Sequence, residues 1–309
     1  MLTVYKTTPD GLETIENVAN GCWVNAVDPT PEEIEKLKFW GVETELITYS
    51  LDRDEMARVE RDEDYTLILI RIPHFQGETH DIPYITIPMG IIIKENFIAT
   101  ICRYPNDISR ILTNGKYRGF KTAKRYRFVL YVLLETATRY LAHLREINRA
   151  VDHVEDQLEK STRNRELLQL LKYQKSLVYF TTALRSNEVM MERLQRMRMF
   201  NKYDEDEELL EDVLTENQQA IQVTNINAEI LAGLMDAFAS IISNNLNVVM
   251  KALAAITIVI NVPAIVAAFY GMNVILPGQD HPLAFLTIFG LSIVLSGLAA
   301  FIFYKRDWF

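Results

Sequence analysis

Cysteine is nearly missing from this 309-residue chain, Cys22 and Cys102 being the only two. A disulfide scaffold is excluded, the pair suits a reducing compartment, and no thiolate spacing for a metal centre exists. Proline is missing from Lys121 to Met250, where Gly233 is the one glycine, so no breaker divides that stretch into short helices. Glycine-rich phosphate loops, a dinucleotide fingerprint and nucleophile motifs are missing as well, which points away from an enzyme. The most telling shortage is of charge. After Met250 the charged residues are Lys251, Asp280, Lys305, Arg306 and Asp307 alone. The whole chain has a net charge of −9 and this tail contributes three bases and two acids, so the residues up to Met250 carry −10. An acidic body is thus joined to a nearly uncharged tail, and the mean hydropathy of +0.01 averages two unlike parts.

The tail contains two uninterrupted apolar runs, Ala252 to Tyr270 and Leu283 to Tyr304. Each is long enough to cross about 30 Å of hydrocarbon as a helix. The segment between them has no Lys or Arg, whereas Lys251 precedes the first run and Lys305 and Arg306 follow the second. By the positive-inside rule both termini are expected in the cytoplasm, with a short outer loop. The opening residues Met1 to Asp10 do not resemble a signal peptide, so the first 250 residues are expected to stay cytoplasmic. Tyr270, Tyr304 and Trp308 fall at span ends as aromatic anchors.

Upstream, short β-rich runs occupy Leu2 to Tyr5, Trp23 to Ala26, Tyr65 to Ile72, Ile85 to Ile93 and Phe97 to Cys102, the last two forming a plausible hairpin. Thr30 and Glu33 have capping-box spacing around Pro31, and the charged stretch Asp52 to Glu63 carries Met56 and Val59 at helical spacing. This predicts an α+β cytoplasmic domain over 1–120. Polar clusters near Ser161 to Arg165 and Asn201 to Asp206 then divide the helical region. They predict helices over about 121–158 and 165–200, long and antiparallel within 121–204, and a third from Glu205. No gap separates the third helix from the first span, so it should run to Tyr270, roughly 100 Å. Its division is a stalk over 205–250 and a membrane span over 251–270, followed by an outer loop over 271–282, a second span over 283–304 and a cytoplasmic tail over 305–309. Two spans enclose no pore, so passage of a solute would need a homo-oligomer.

At 100° per residue, Ser240, Ser243, Asn247, Met250, Ala254, Ile258, Asn261, Ile265 and Ala268 all lie within about 40° of Asp236. One face therefore carries an acid, two hydroxyls and two carboxamides through a region otherwise written in Ala, Ile and Val. Taken singly, Asn261 reads equally well as polar glue between helices and Asp236 as a solvated stalk residue. Their alignment with the others favours a pore lining.

At the outer end of the first span stands Tyr270-Gly271-Met272-Asn273, with Pro263 eight residues before the glycine. With the C-terminal pair of spans, the long stalk, Met250-Lys251 at the membrane entrance, the closing Tyr304-Lys305-Arg306-Asp307-Trp308 and an upstream Trp23-Val24-Asn25 followed by Asp28 to Glu33, this resembles the CorA-type magnesium transporters. The resemblance covers essentially the whole chain. It implies a homopentameric channel whose first spans line a central pore and whose Gly271-Met272-Asn273 forms the selectivity filter, with Asn273 as a ring at the outer mouth. Mg²⁺ sheds water reluctantly, and neutral carboxamide oxygens accept hydrogen bonds from its hydration shell without the hold of several carboxylates. Gly271 would end the helix and let the backbone turn. The resemblance also implies regulation by Mg²⁺ at acidic sites between subunits: Asp212 and Asp236 match sensor and pore-entrance positions, with Glu78 or Asp81 of a neighbouring subunit offered as the partner of Asp212.

The same resemblance implies no enzymatic activity, membrane and divalent-cation partners, and transport of Mg²⁺ with Co²⁺ or Ni²⁺ as further cargo. A ZntB-type zinc transporter and a non-conducting membrane-anchored scaffold are the alternatives. Asp280 is the lone acid of the outer loop, and Ala264 stands where many members carry a hydroxyl, leaving Asn261 as the internal polar step. His80, His143, His153 and His281 form no ligand set by spacing. Glu205 to Glu208 read as an exposed charged face. Arg118, Lys121, Lys124, Arg125 and Arg127 form a basic patch, but a body of net charge −10 argues against nucleic acid. Met190, Met191, Met197 and Met199 read as packing.

Overall fold

The computed structural model describes residues 1–117, 119–160, 164–200, 203–274, 282–306 and 308. In chain order its strands are β1 (Leu2–Thr8), β2 (Gly11–Ile15), β3 (Cys22–Val27), β4 (Arg58–Arg61), β5 (Thr66–Phe75), β6 (Tyr84–Ile93) and β7 (Phe97–Cys102). The helices are α1 (Pro31–Phe39), α2 (Thr44–Leu51), α3 (Asp107–Thr113), α4 (Arg125–Lys160), α5 (Asn164–Arg196), α6 (Asp204–Tyr270) and α7 (Ala284–Lys305). Two compact units result, Met1–Leu234 and Met235–Phe309.

The first unit is built on a seven-stranded sheet of order β2-β1-β3-β7-β6-β5-β4, antiparallel except where β3 pairs with β7. Both faces are covered, which explains the apolar run Leu67 to Ile70 within β5. Leu67 and Leu69 point into a core with Leu37 of α1 and Leu46 and Ile47 of α2. Ile68, Ile70 and Ile72 point the other way, against Phe128 and Val132 of α4, Met190 and Leu194 of α5, and Leu210 and Val213 of α6. The hairpin of β6 and β7 is present, with Ile93 opposite Ile98. Thr30 caps α1 with the full reciprocal box to Glu33. At Gly90 a Cβ would stand 1.8 Å from Ser50 Oγ, so the glycine is what lets α2 lie on β6.

The stretch Asp52 to Glu63 is not a helix. The guanidinium of Arg71, buried in β5, donates to the carbonyls of Arg53 (3.0 Å) and Glu55 (2.6 Å), and Ala57 donates its N–H to Ser186 Oγ (3.1 Å). Backbone groups that a helix would use internally are taken by tertiary partners, and Arg58–Arg61 pairs with β5 as the sheet edge. The long helices start and stop near their expected limits. Thr122 bonds to Thr7 and to the carbonyl of Gly21, which holds the chain on β1 until α4 starts at Arg125. α5 ends at Arg196, and Arg198 takes a left-handed conformation (φ 51°) just beyond it. α6 is continuous over 67 residues, through Pro263.

Candidate functional site

The second unit consists of the end of α6 and α7, both long and apolar enough to cross a membrane. Their contact has a sequence logic. α7 turns Ala284, Ile288, Ser292, Ser296, Ala299, Ala300 and Phe303 inward, the positions that escape full exposure. Spacings of three and four put them on one face, and the small ones among them allow close approach. On α6 the residues partly or wholly covered are Ala252, Ala255, Val259, Val262, Pro263 and Val266, with Ala255 fully buried. That face is centred about 130° from Asp236 on the helical wheel.

The polar stripe is therefore left free. Asp236, Ser240, Ser243, Asn247, Met250, Ala254, Ile258, Asn261, Ile265 and Ala268 are all exposed, on the side that α7 does not cover. Ala264 lies off the stripe and lines a groove of about 660 Å³ between the spans, with Pro263, Tyr270, Phe285 and Ile288. α6 leads into the Gly271-Met272-Asn273 motif: Gly271 N–H still bonds to Ala267 O (2.9 Å), and Met272 N–H then bonds to Phe269 O (3.4 Å). Gly271 does not use the left-handed region. Its missing Cβ matters for another reason, since one would sit 3.2 Å from Ala267 O. Gly271, Met272 and Asn273 are exposed, while Asp280 and His281 lie outside the described residues.

In the first unit Asp212 is exposed on α6, beside the buried Val213. Glu78 accepts a hydrogen bond from Tyr173 Oη (2.8 Å), and Asp81 pairs with Lys175 Nζ (3.1 Å). Burial, then the Glu78 carboxylate, pushes the Tyr173 phenol up, so it remains a donor to Glu78. Both acids are thus tied to α5 of their own chain. The charged run opening α6 is not wholly an exposed face: Asp206 is buried and pairs with Arg127, which also reaches Glu205 (2.8 Å). Acids in the first turn of a helix are further favoured by its dipole. Among the described residues of a single chain, no three His, Cys, Asp or Glu side chains converge as metal ligands.

The model of the family described as CorA-like Mg2+ transporter protein matches residues 19–306. The chain belongs to this family. A cobalt/magnesium transport protein CorA of Methanocaldococcus jannaschii is 30% identical over 297 residues, covering 93% of this chain and 90% of the relative. The complete structure of the CorA magnesium transporter from the same organism superposes with a TM-score of 0.85 at 24% identity, over 100% of this chain and 99% of that one. A ZntB cytoplasmic domain from Vibrio parahaemolyticus is more distant, at TM-score 0.58 and 10% identity over 79% of this chain and 97% of that domain. The CorA likeness extends over the whole chain.

Other candidates of this CorA-family chain fall into ordinary structural roles. Arg125 reaches the carbonyls of Lys94 and Glu95, and Arg127 is occupied by Glu205 and Asp206, while Arg118 lies outside the described residues. Met190 and Met191 are core residues, with Met197 and Met199 packed against the same cluster. His143 bonds to Glu146 (2.9 Å) and His153 to Gln157 (2.9 Å). Sequence reasoning passed over two sets of partners. Asn187 of α5 brackets Arg71, accepting from its N–H (2.9 Å) and donating to its carbonyl (2.8 Å), which pins α5 to the sheet. In the second unit Ser296 Oγ donates across the helix pair to Val259 O (3.0 Å). The signal for the latter was present, since Pro263 stands four residues after Val259.

Proposed function

We propose that this chain is one subunit of a homopentameric channel that carries Mg²⁺ inward through the cytoplasmic membrane, down its electrochemical gradient, with Co²⁺ and Ni²⁺ as further cargo. Family membership supports divalent-cation transport. The observation that carries the pore assignment is the free face of α6: α7 covers one side, and the opposite side presents Asp236, Ser243, Asn247, Met250, Ala254, Ile258, Asn261, Ile265 and Ala268 in line. Brought together around a five-fold axis, these faces would enclose a path with carboxamide steps at Asn247 and Asn261 and a carboxylate ring at Asp236. Such a path suits a hydrated cation. Weak, repeated hydrogen bonding through retained water lets Mg²⁺ enter and leave, whereas dehydration by a tight cage would stop it. Gly271, Met272 and Asn273 are assigned to the outer filter, with both termini in the cytoplasm.

Regulation is assigned to Mg²⁺ at Asp212, facing Glu78 or Asp81 of a neighbouring subunit, and at Asp236. Bridging ions neutralise facing carboxylates and hold the ring closed; when internal Mg²⁺ falls, repulsion between like charges loosens it. The contacts of Glu78 with Tyr173 and of Asp81 with Lys175 are compatible with a low affinity, because an incoming ion must compete with them. No enzymatic role is assigned.

Proteoliposomes containing the full chain test this reading. Mg²⁺ uptake that Asn273→Ala abolishes or makes unselective is expected. Absence of divalent-cation uptake would leave the scaffold reading, and Zn²⁺ flux that depends on an imposed proton gradient would favour the ZntB-type reading. Asp212→Ala is expected to weaken closure by high internal Mg²⁺; unaltered inhibition would remove it from the sensor.

A further inference from the structure

Proline inside a membrane helix leaves a specific debt to be settled. Pro263 has no N–H, so the carbonyl of Val259, four residues earlier, lacks the partner that every ordinary position of the helix supplies. In hydrocarbon, where water offers no substitute, an unmatched carbonyl is costly, and neighbouring side chains are the usual remedy. Val259 O is the atom that Ser296 Oγ of α7 reaches, at 3.0 Å. The choice of carbonyl is what makes the contact informative. Thr257 bonds to Leu253 O (2.7 Å), Thr287 to Ala284 O (2.9 Å) and Ser292 to Phe289 O (2.7 Å), all within their own helices. Ser296 instead crosses to the other span, and lands on the one carbonyl that Pro263 strands. Val259 and Pro263 both lie on the partly covered side of α6, and Ser296 is itself partly covered.

We propose that Ser296 is a positioning residue for the outer filter: its hydroxyl replaces the helix bond lost at Pro263 and thereby pins the second span to the first at Val259, just over three turns before Gly271. Pro263 loosens α6 where it stands, and the crossing bond turns that loose point into a joint whose outer arm, residues 264–270, is held by α7. The arm ends at Gly271-Met272-Asn273, so the set of the joint decides where Asn273 sits. Opening the bond would free the arm to tilt, with the Val259 carbonyl left unmatched for as long as the joint stays open. The functional part of this inference rests on the transport reading; the bond itself does not.

The test is a cycle on the full-length protein in nanodiscs and proteoliposomes: wild type, Ser296→Ala, Pro263→Ala and the double variant, with Ser296→Thr as the conservative control. Amide hydrogen exchange over residues 264–274 reads the pin, and Mg²⁺ uptake reads its consequence. Ser296→Ala is expected to raise exchange about three-fold, and at most about fifteen-fold, the range of hydrogen bonds between membrane helices. Ser296→Thr, which keeps the hydroxyl, is expected to restore wild-type exchange. In the Pro263→Ala background the helix regains its own N–H, and Ser296→Ala is then expected to change little. Equal effects of Ser296→Ala with and without Pro263, or no effect with Pro263 present, would overturn the pin. Exchange that follows the cycle while Mg²⁺ uptake in all variants equals wild type would overturn the positioning role. A wild-type protein that moves no cation would overturn the transport reading and that role together, with the exchange cycle still judging the bond.

Discussion

Cysteine scanning of α6 from Ser243 to Ala268 offers the sharpest test of the pore assignment, because three faces of one helix carry three different expectations. Cysteines at Ser243, Asn247, Ala254, Ile258, Asn261, Ile265 and Ala268 would face water in an assembled pore. Those at Ala255, Val259, Val262 and Val266 would lie against α7, and those at Leu253 and Ile260 would face lipid. Thiol-specific methanethiosulfonates react with the thiolate, so only a wet site reacts quickly. The native thiols supply a low background. Cys22 and Cys102 are both buried; burial raises the thiol pKa of Cys22 and pushes that of Cys102 up to about 11, against 9.0 for an unperturbed thiol. Near neutral pH that leaves Cys102 with about 100-fold less thiolate than an exposed cysteine, before access is considered. Stripe positions are therefore expected to react at least about 100-fold faster than the native background. The assay is progressive block of Mg²⁺ uptake in proteoliposomes by a charged reagent, position by position. Fast block should recur every three or four residues, at 254, 258, 261, 265 and 268. Fast block at Leu253 and Ile260 with protection at Ala254 and Asn261 would refute the assignment of this face, whatever the transport activity.

Three further expectations concern the first unit. Arg71→Met removes the donor to the carbonyls of Arg53, Glu55 and Thr86 (2.7 Å), and should cost about 2–4 kcal/mol in denaturant unfolding with little change in uptake by the protein that remains folded; a cost under about 1 kcal/mol would show those carbonyls find other partners. Thr30→Ala breaks the capping box of α1 and should cost about 1 kcal/mol, read as a lowered melting temperature; no change would mean that helix packing alone fixes the start of α1. His74 is half-buried, stacked on Tyr104 (5.2 Å), and its pKa is lowered by burial first and then by His143 and Arg53, with Asp107 opposing. Because the unfolded chain takes up this proton more readily, the stability His74 lends is full above about pH 6.5 and declines as pH falls through the ordinary histidine range toward its folded value. His74→Gln should flatten melting temperature against pH between about 7.5 and 5; an unchanged slope would assign that acid sensitivity to other groups.

Where residues speak through periodicity, the sequence was readable. The run from Tyr65 to Ile72 announced a strand, and its burial on both faces explains why Leu67 to Ile70 do not alternate with polar residues. The long helices were legible for want of Pro and Gly, and the stripe on α6 because a 100° step sorts Asn247, Asn261 and their neighbours onto one side before any partner is known. What failed had its cause elsewhere in the chain. Asp52 to Glu63 has helical spacing and helix-friendly composition, but its conformation is decided by Arg71 and by Ser186, the latter 129 residues from Ala57. The short helices α2 and α3 were not delimited for a different reason, since eight and seven residues hold too few turns for a pattern to emerge. Gly271 was expected to end the helix and let the backbone turn; it follows the last residue of α6 without a positive φ, and a Cβ there would stand 3.2 Å from Ala267 O.

The two spans mark the limit of such reading. Both are apolar all round, so no hydrophobic face says which side of α7 meets α6. In lipid that information passes to small and polar residues: Ser292, Ser296 and Ala300 on α7, and on α6 a proline that leaves the Val259 carbonyl in need of a donor, supplied from α7 by Ser296. Once Ser296 supplies that bond, the rotation of α6 is fixed, because Val259 must point at α7. Asp236, Asn247 and Asn261 then face away from it. On this proposal Pro263 and the polar stripe are parts of one specification: the proline, through its stranded carbonyl, selects which face the second span occupies, and so leaves free the face proposed to line a pore.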